Sequence, residues 1–391
     1  MKLFEGKLNV NEIFGAIYNM IISQQVFSDS VKPNDTLLNR FKVDGTLYGD
    51  TKLYYSTDAM ETQDWLGDAE AQNLLNIDRP SSPKTQAITI DQYRMIPLTV
   101  DNYLSKRAWS TEGAFTQCQS VMLNWMRDTK KIYETTMINS YVGTNKSEAN
   151  RNTVEIDVTT AVGSATGEEK NRLEAQAIAN GLSDLFVDMQ DVSRDFNDFK
   201  FLRSVSKEDL IVVFNSKYAN KITKMDLPTI FHNENLLNYD NVLPARFFGD
   251  VVTSDVTASN NDGTYRSLIE ADYATKAGEK PTHVFPGDLI PKGTSKVTEM
   301  NITKTLVGKA YVTTKTAKTI GTGLVAGEIY KPNDNIICKV IYNTAVPFMS
   351  AFEVSNSFYN PRSLTNNHYL IWGYSKPQYL YEKPFITVVK K

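Results

Sequence analysis

The stretch from Thr111 to Val142 constrains this chain more than any other. Phe115, Cys118, Met122, Trp125, Thr129, Ile132, Thr136 and Tyr141 recur at near-heptad spacing, and Gly143 supplies a stop. About 32 helical residues at a rise of ~1.5 Å make a rod of roughly 48 Å, where the mean globular helix has about 11–12 residues. A bundle or coiled coil would use such a rod, but a sustained heptad needs about three or four repeats with charged flanks. Threonines at the core positions weaken that reading.

The chain before the rod reads as two extended pieces. Phe14, Ile17, Tyr18, Ile21 and Ile22 fall at helical spacing and predict a short amphipathic helix near the start. Arg40 to Thr57 alternates polar and apolar residues, punctuated by Gly45 and Gly49, and Lys84 to Val100 does so again with Ile88, Ile90 and Met95. Between them Asp58 to Pro83 is polar, holds Trp65 and Leu66, and ends in Pro80-Ser81-Ser82-Pro83. Together they predict an extended hairpin with a broad tip over residues 40–100. An isolated hairpin is marginal in water, so this one is expected to lie against its own body or a neighbouring copy.

Beyond the rod the pattern is α+β. A second helix is expected from Glu168 to about Val192, with Thr166 and Glu169 as a capping box and Ile178, Leu182, Leu185, Met189 and Val192 on its buried face. Leu210 to Phe214 reads as a β-branched strand, Asn215-Ser216 as a cap, and the next helix as running through Lys224, with Leu227-Pro228 ending the unit. The strand–helix alternation does not persist, which argues against a doubly wound sheet. Ser254 to Gly327 changes composition, being rich in Thr, Lys, Gly, Ala and Asp with few aromatics. Turn signals at Asn261-Asp262-Gly263, Pro286-Gly287 and Pro291-Lys292-Gly293, with Val297, Ile302, Val307, Tyr311 and Val312, predict short strands in a β-rich insertion or an elaborated loop region. From Asn335 to Lys391 strand character returns, first in Ile336 to Tyr342 and then in an aromatic tail with Phe348, Phe352, Phe358, Tyr359, Tyr369, Trp372, Tyr374 and Tyr379. No repeat at solenoid periods is present.

Composition narrows the function classes. The 391 residues carry 42 basic and 45 acidic side chains, a formal net charge of −3, so the basic excess typical of nucleic-acid binders is missing. Two cysteines, Cys118 and Cys338, make no disulfide framework and point to a reducing compartment. Glu5, Asn11 and Glu12 interrupt the apolar stretch that an export signal would need. No run of about 18 apolar residues suggests a membrane span.

Each candidate for chemistry has a simpler explanation. Gly321-Thr322-Gly323 with Gly327 lacks the spacing and the Lys-Ser/Thr ending of a phosphate-cradling loop and reads as a β-turn cluster. Asp195, Asn197 and Asp198 look like part of a calcium loop without its glycine and distal glutamate, so a solvated turn is expected. Cys118 and Cys338 sit on apolar patterns as small hydrophobes. His232, His283 and His368 are dispersed and show no metal-binding spacing. No catalytic, cofactor-binding or metal-ligating residues are assigned, and no cofactor is expected. The aromatic tail reads as core and interface packing, because Arg362, Lys376 and Lys383 are too sparse to line a base-stacking platform.

The order of these elements resembles the tailed-bacteriophage major capsid fold, which the herpesvirus capsid floor shares. Asn360-Pro361-Arg362-Ser363-Leu364 with Tyr369 and Trp372 is similar to a stretch in capsid proteins of small short-tailed, picovirus-like podophages. The run from Pro83 through Asp101-Asn102-Tyr103 and Trp109 into the rod looks like the same family's arm-to-spine transition. The resemblance implies an α+β chain with an N-terminal arm over 1–39, an extended hairpin over 40–100 reaching a neighbouring subunit, and a peripheral domain over 101–192 whose spine is 111–142. It further implies part of an axial domain over 193–253 and a C-terminal β segment over 328–391, with 254–327 as a β-rich insertion departing from the family pattern. The implied role is a structural virion protein that forms homo-pentamers and homo-hexamers in an icosahedral shell. Its partners would be scaffolding protein, portal and non-specifically contacted packaged DNA, with no membrane, after assembly in the host cytoplasm. Some capsids of this fold crosslink through Lys and Asn; Lys52 and Lys84 lie in the arm, and solubilising edge lysines explain them as well. Two alternatives stand beside this reading: another virion component, such as a tail or head-fibre protein, which would show repetitive β-structure, and a cytoplasmic carbohydrate or nucleotide enzyme, which would show a cleft with converging carboxylates.

Overall fold

The computed structural model describes residues 33–45, 49–62, 64–65, 79, 82–101, 112–145, 152–223, 241–307, 310–362, 364–383 and 385–391. The expected helix at Phe14 to Ile22, most of the tip between 58 and 83, and the Leu227-Pro228 stop lie outside the described residues.

The rod forms within a residue of its expected ends, as α2 (Glu112–Gly143), after a short α1 (Thr36–Phe41). Its buried stripe differs from the near-heptad one. Met122, Met126, Tyr133, Met137, Ile138 and Val142 are buried, whereas Trp125 is 38% exposed. Thr129 and Thr136 turn their hydroxyls back on the helix, donating to the carbonyls of Trp125 at 2.7 Å and Ile132 at 2.8 Å. Steps of three and four residues follow a straight helix lying on a broad apolar surface. That surface is sheet, and no second helix forms a coiled-coil seam with α2 among the described residues.

The first sheet joins the two ends of the chain. Its order is β1-β18-β19-β3-β2, from β1 (Lys42–Gly45), β2 (Thr51–Ser56), β3 (Lys84–Asp101), β18 (Phe348–Asn360) and β19 (Thr365–Ser375). β2 pairs antiparallel with β3 from Thr51–Thr89 to Ser56–Lys84. Beyond it, β3 leaves β2 and pairs with β19 from Ile90 to Asp101. The aromatic tail is thus the sheet partner of the arm's returning strand.

The second sheet is the body. Its order is β5-β20-β17-β6-β7, from β5 (Thr153–Ile156), β6 (Leu210–Asn215), β7 (Val242–Leu243), β17 (Ile336–Tyr342) and β20 (Phe385–Lys390). Among the described residues, α2 is followed by α3 (Val158–Val162), α4 (Gly167–Gln190) and α5 (Ser216–Thr223). Ile178, Leu182, Leu185 and Met189 of α4 pack on one face with Val212, Phe214, Val340 and Ile386. Tyr133, Met137 and Ile138 of α2 pack on the other with Ile211, Val213, Ile336 and Ile341. Coverage on both faces explains why β17 is an almost continuous apolar run. The segments 101–192, 193–253 and 328–391 meet in this one core. At the start of α4 the capping box does not form: Thr166 makes no side-chain cap bond, and Gly167 enters the helix at φ +65°. Val192 falls past the helix end and is exposed, so it leaves the buried face.

Residues 254–327 fold around a core of their own, Val256, Tyr273, Val284, Ile290 and Leu324, joined by Ile329. A small sheet β10-β16-β8-β4 ties them to the end of α2, using β4 (Thr144–Asn145), β8 (Gly249–Val251), β10 (Arg266–Ser267) and β16 (Ile329–Pro332). β9 (Val256–Thr257) pairs with β15 (Gly323–Leu324). The last sheet runs β12-β11-β13-β14, from β11 (Ala271–Ala274), β12 (Thr282–Val284), β13 (Ser295–Val307) and β14 (Ala310–Ile320). Short strands were expected; β13 and β14 have 13 and 11 residues. Polar threonines on both sides of a ribbon leave no alternation from which to read its length.

Candidate functional site

Among the described residues, the first sheet has one face covered by α2 and one that is bare over half its length. On the covered face Arg94, Trp372 and Tyr374 meet the helix. The rings of Trp372 and Tyr374 stand edge-on to Tyr133, and Arg94 lies over that ring at 5.2 Å. Lys130 of α2 reaches Glu353 of β18 at 2.8 Å, and Glu134 accepts from the Ser350 hydroxyl at 3.0 Å. Burial raises the Glu134 carboxyl above its usual range, with Lys130 opposing it.

On the other face, Ile88, Ile90, Met349 and Ala351 are capped by Leu380 near the root. An irregularity at Asp91, between the Gln92–Tyr374 and Ile90–Ser375 pairs, then shifts the alternation by one. It keeps Tyr93 and Met95 on the same side as Ile88 and Ile90. Met95 stands opposite Ile371, which stands opposite Val354, and Tyr369 and Phe358 continue the stripe. Met95 is 54% exposed and Phe358 64% exposed. Contiguous apolar patches rimmed by polar residues mark interaction surfaces.

Where the arm leaves the body, polar side chains hold it. Arg203 donates from Nε and Nη2 to Glu382 Oε1 at 2.9 and 2.8 Å, and from Nη2 to the Thr57 carbonyl at 2.5 Å. The Ser56 hydroxyl donates to the other oxygen of Glu382. Asp58 accepts from Arg194 at 2.7 Å and from the Leu202 amide at 2.9 Å. The hydrogen bond from Arg194 comes first among the causes that draw the Asp58 carboxyl down to about 2. Lys84, on the returning strand, lies 5.2 Å from the ring centroids of both Phe199 and Phe201.

This latch revises the turn expected to be solvated. Asn197 is buried, accepting from the Phe201 amide at 2.8 Å and donating to the Phe201 carbonyl at 2.7 Å. Asp198 accepts from the Tyr379 hydroxyl at 2.8 Å. Both side chains shape the loop that grips the arm. Sequence reasoning missed the latch because its partners lie 136 to 326 residues apart.

The remaining candidates fall into structural roles. Gly323 crosses β9 so closely that a Cβ would sit 2.0 Å from the Val256 carbonyl oxygen, which explains the glycine by strand packing. Cys338 is fully buried in β17, and burial pushes its thiol far up; the side chain of Cys118 lies outside the described residues, as does His232. Next to Cys338, the fully buried Lys339 donates to the Thr144 carbonyl at 3.0 Å and the Thr387 hydroxyl at 2.6 Å, and burial lowers its pKa to about 7. His283 sits between Asp272 and Glu270, each at 3.0 Å, and their hydrogen bonds raise it to about 9. Glu270 also faces Arg94 at 3.7 Å, linking the insertion to β3. Burial lowers His368. Lys52 donates to the Asp44 carbonyl at 2.8 Å.

An open groove of about 1230 Å³ lies between the first sheet, the 193–203 loop and the insertion. Its carboxylates are engaged structurally: Asp198 by Tyr379, Asp250 by Asn333 at 2.6 Å, and Glu328 by Lys296 at 2.5 Å. Among the described residues no cluster of His, Cys, Asp and Glu is arranged for a metal ion, and no helix is long and apolar enough to cross a membrane.

Comparison with known proteins agrees with this architecture. The family model for the Phi29-like phage major capsid protein matches residues 2–376. In the capsid structure of Staphylococcus phage Andhra, a chain is similar over 100% of this chain and 89% of its own, with TM-score 0.58 at 11% identity. A chain in the structure of the head fiber and inner core protein gp22 of native bacteriophage P68 is similar over 100% and 89%, with TM-score 0.53 at 11% identity. No curated protein matches. At these identities the structural likeness carries the fold, and the family match carries the role. A latched arm, a spine helix and a bare apolar sheet face therefore belong to a structural, shell-forming protein of the virion, and the chain is a member of the Phi29-like phage major capsid protein family.

Proposed function

We propose that copies of this chain assemble as pentamers and hexamers into the icosahedral head shell of a small short-tailed phage, around double-stranded DNA. The observation that carries this reading is the bare apolar face of the first sheet, held rigidly at its root by the Arg203–Glu382 latch. In this reading the 40–100 arm reaches over a neighbouring subunit, and α2 is the spine of the peripheral part. The body near Leu210 to Thr253 points toward the centre of the pentamer or hexamer, and 254–327 stays as an insertion. Subunits related by rotation meet through heterologous contacts that close into rings. Interfaces of about 800–2,000 Å² each are enough when many act together. Scaffolding protein and portal are the proposed partners, and the host cytoplasm the place of assembly.

Negative-stain electron microscopy with light scattering tests this, on the chain alone and co-expressed with a scaffolding protein. Shells, tubes or ring-shaped capsomers are expected. A monodisperse monomer at high concentration in both preparations would overturn the reading. Deleting residues 59–82, which spares Asp58 of the latch, is expected to leave a folded subunit that no longer assembles.

A further inference from the structure

The outer half of the first sheet is open along its side as well as on its face. β18 runs to Asn360, but β1 borders it only from Phe348 to Ala351. From Phe352 to Asn360 its outer edge pairs with no strand among the described residues. These nine residues, at ~3.4 Å each, leave an edge of roughly 30 Å. Alternate residues along it turn their N–H and C=O groups away from β19, and such a row is a template for another strand.

Proteins block free edges with charges, prolines or short strands. Other edges among the described residues follow this rule. β2 carries Lys52, the outer side of β3 beyond Thr89 carries Asp91, Arg94 and Pro97, and β14 carries Lys315 and Lys318. β5 and β12 have only four and three residues. From Val354 to Asn360 the β18 edge holds neither a charge nor a proline. Glu353, just before it, is taken by Lys130 on the helix-covered face. An unprotected edge of this length calls for a partner strand.

The sequence of this edge fits a second copy of itself. In an antiparallel pair centred on Asn356, Val354 stands opposite the second copy's Phe358, Ser355 opposite Ser357, and Glu353 opposite Tyr359. Val354 and Phe358 lie on the bare face, so this register joins apolar to apolar. Moving the centre to Ser355 or Ser357 sets Asn356 against Val354 or Phe358 instead. Directly opposite pairs are the unit of sheet stabilisation, and like charges across them are destabilising; the register centred on Asn356 has none. Its two-fold axis stands perpendicular to the sheet and keeps both bare faces on one side. The stripe from Met95 through Ile371 and Val354 therefore continues into the second copy.

We propose that β18 pairs antiparallel with β18 of a second copy, centred on Asn356, so that the first sheets of two subunits become one across a two-fold contact between capsomers. This contact is isologous, unlike the heterologous contacts that close a ring. The inference rests on the shell-forming reading and adds a link between rings, which a closed shell needs.

Asn356→Cys in the full-length chain tests the pairing, because a two-fold axis at this position brings it against itself. Isolated particles are mildly oxidised and run on a non-reducing gel. A covalent dimer is expected from Asn356→Cys and not from wild type, which keeps Cys118 and Cys338. Particles without that dimer would overturn the pairing and leave the shell-forming role intact; a wild-type chain that forms no particles would overturn both. A second arm uses charge. Asn356→Lys and Asn356→Asp each set like charges opposite one another, and each is expected to cut the assembled fraction at least about tenfold at low salt, where surface electrostatics are least screened. Asn356 is exposed, so the unassembled subunit of each variant should melt as wild type does. Mixing the two variants sets opposite charges across the pair and restores assembly. Failure of the mixture to assemble, or full assembly of either variant alone, would overturn the proposal.

Discussion

β17 and β19 are both interior strands of five-stranded sheets, yet they meet solvent differently. β17 is buried from Ile336 to Ile341, with α4 packed on one side of its sheet and α2 on the other. β19 is buried only toward Ser375, and its first half is only partly buried, in a sheet with one helix-covered face. The body is complete within one chain. In the first sheet, the far half of one face has no packing partner among the described residues. Apolar area left bare in the monomer stabilises contact between copies and adds nothing to the fold of one copy.

Breaking the complete side has the largest expected effect. Leu182→Ala opens a cavity between α4 and the body sheet and should cost about 2–5 kcal/mol in urea unfolding; a cost under about 1 kcal/mol would mean that α4 is loosely packed. The latch comes next. Glu382→Ala leaves Arg203 and Ser56 without their shared carboxylate, and loss of hydrogen bonds to a charged group predicts about 1.5–3 kcal/mol. Faster amide exchange in β2 and the first half of β3, with β17 unchanged, would show that the loss is local to the arm root.

The His283 cluster inside the insertion contributes less and depends on pH. In the folded protein, hydrogen bonds to Asp272 and Glu270 raise His283 to about 9, above the ordinary value of 6.5. Its contribution is therefore fully present below about 6.5 and disappears as pH rises through about 9. His283 is 44% exposed in its side chain, so screening limits the effect to about 1 kcal/mol or less. The stability difference between wild type and His283→Gln should shrink from pH 6 to pH 10; a difference that grows with pH would contradict the assignment. Smallest of all for stability is Met95→Asp on the bare face, within about 0.5 kcal/mol of wild type. The same substitution should abolish particle formation. A strongly destabilised subunit would mean that the face is covered within one chain.

Much of this architecture is written in local patterns. The span of α2, the β-branched strand β6 and the apolar run of β17 were legible because helix length, β-branching and turn residues act over neighbouring positions. The buried side of α2 was not. Thr129 and Thr136 fall at core spacing, but their hydroxyls are satisfied by the helix itself, which frees them from the packing face. The latch and the interaction surface were also hidden, since Ser56 meets Glu382, and Met95 shares its face with Phe358, only after the chain returns.

The sequence by itself therefore determined the element order, the length of the rod, the α+β class and, through its resemblance, the capsid family. Only the tertiary structure decided which strand lies beside β3, which face of that sheet is left bare, and how far the insertion's ribbon projects. Pairing between β3 and β19 depends on residues more than 250 positions apart, and the irregularity at Asp91 shifts the alternation at that pairing alone. Register is a property of two strands together, and no pattern within either strand contains it.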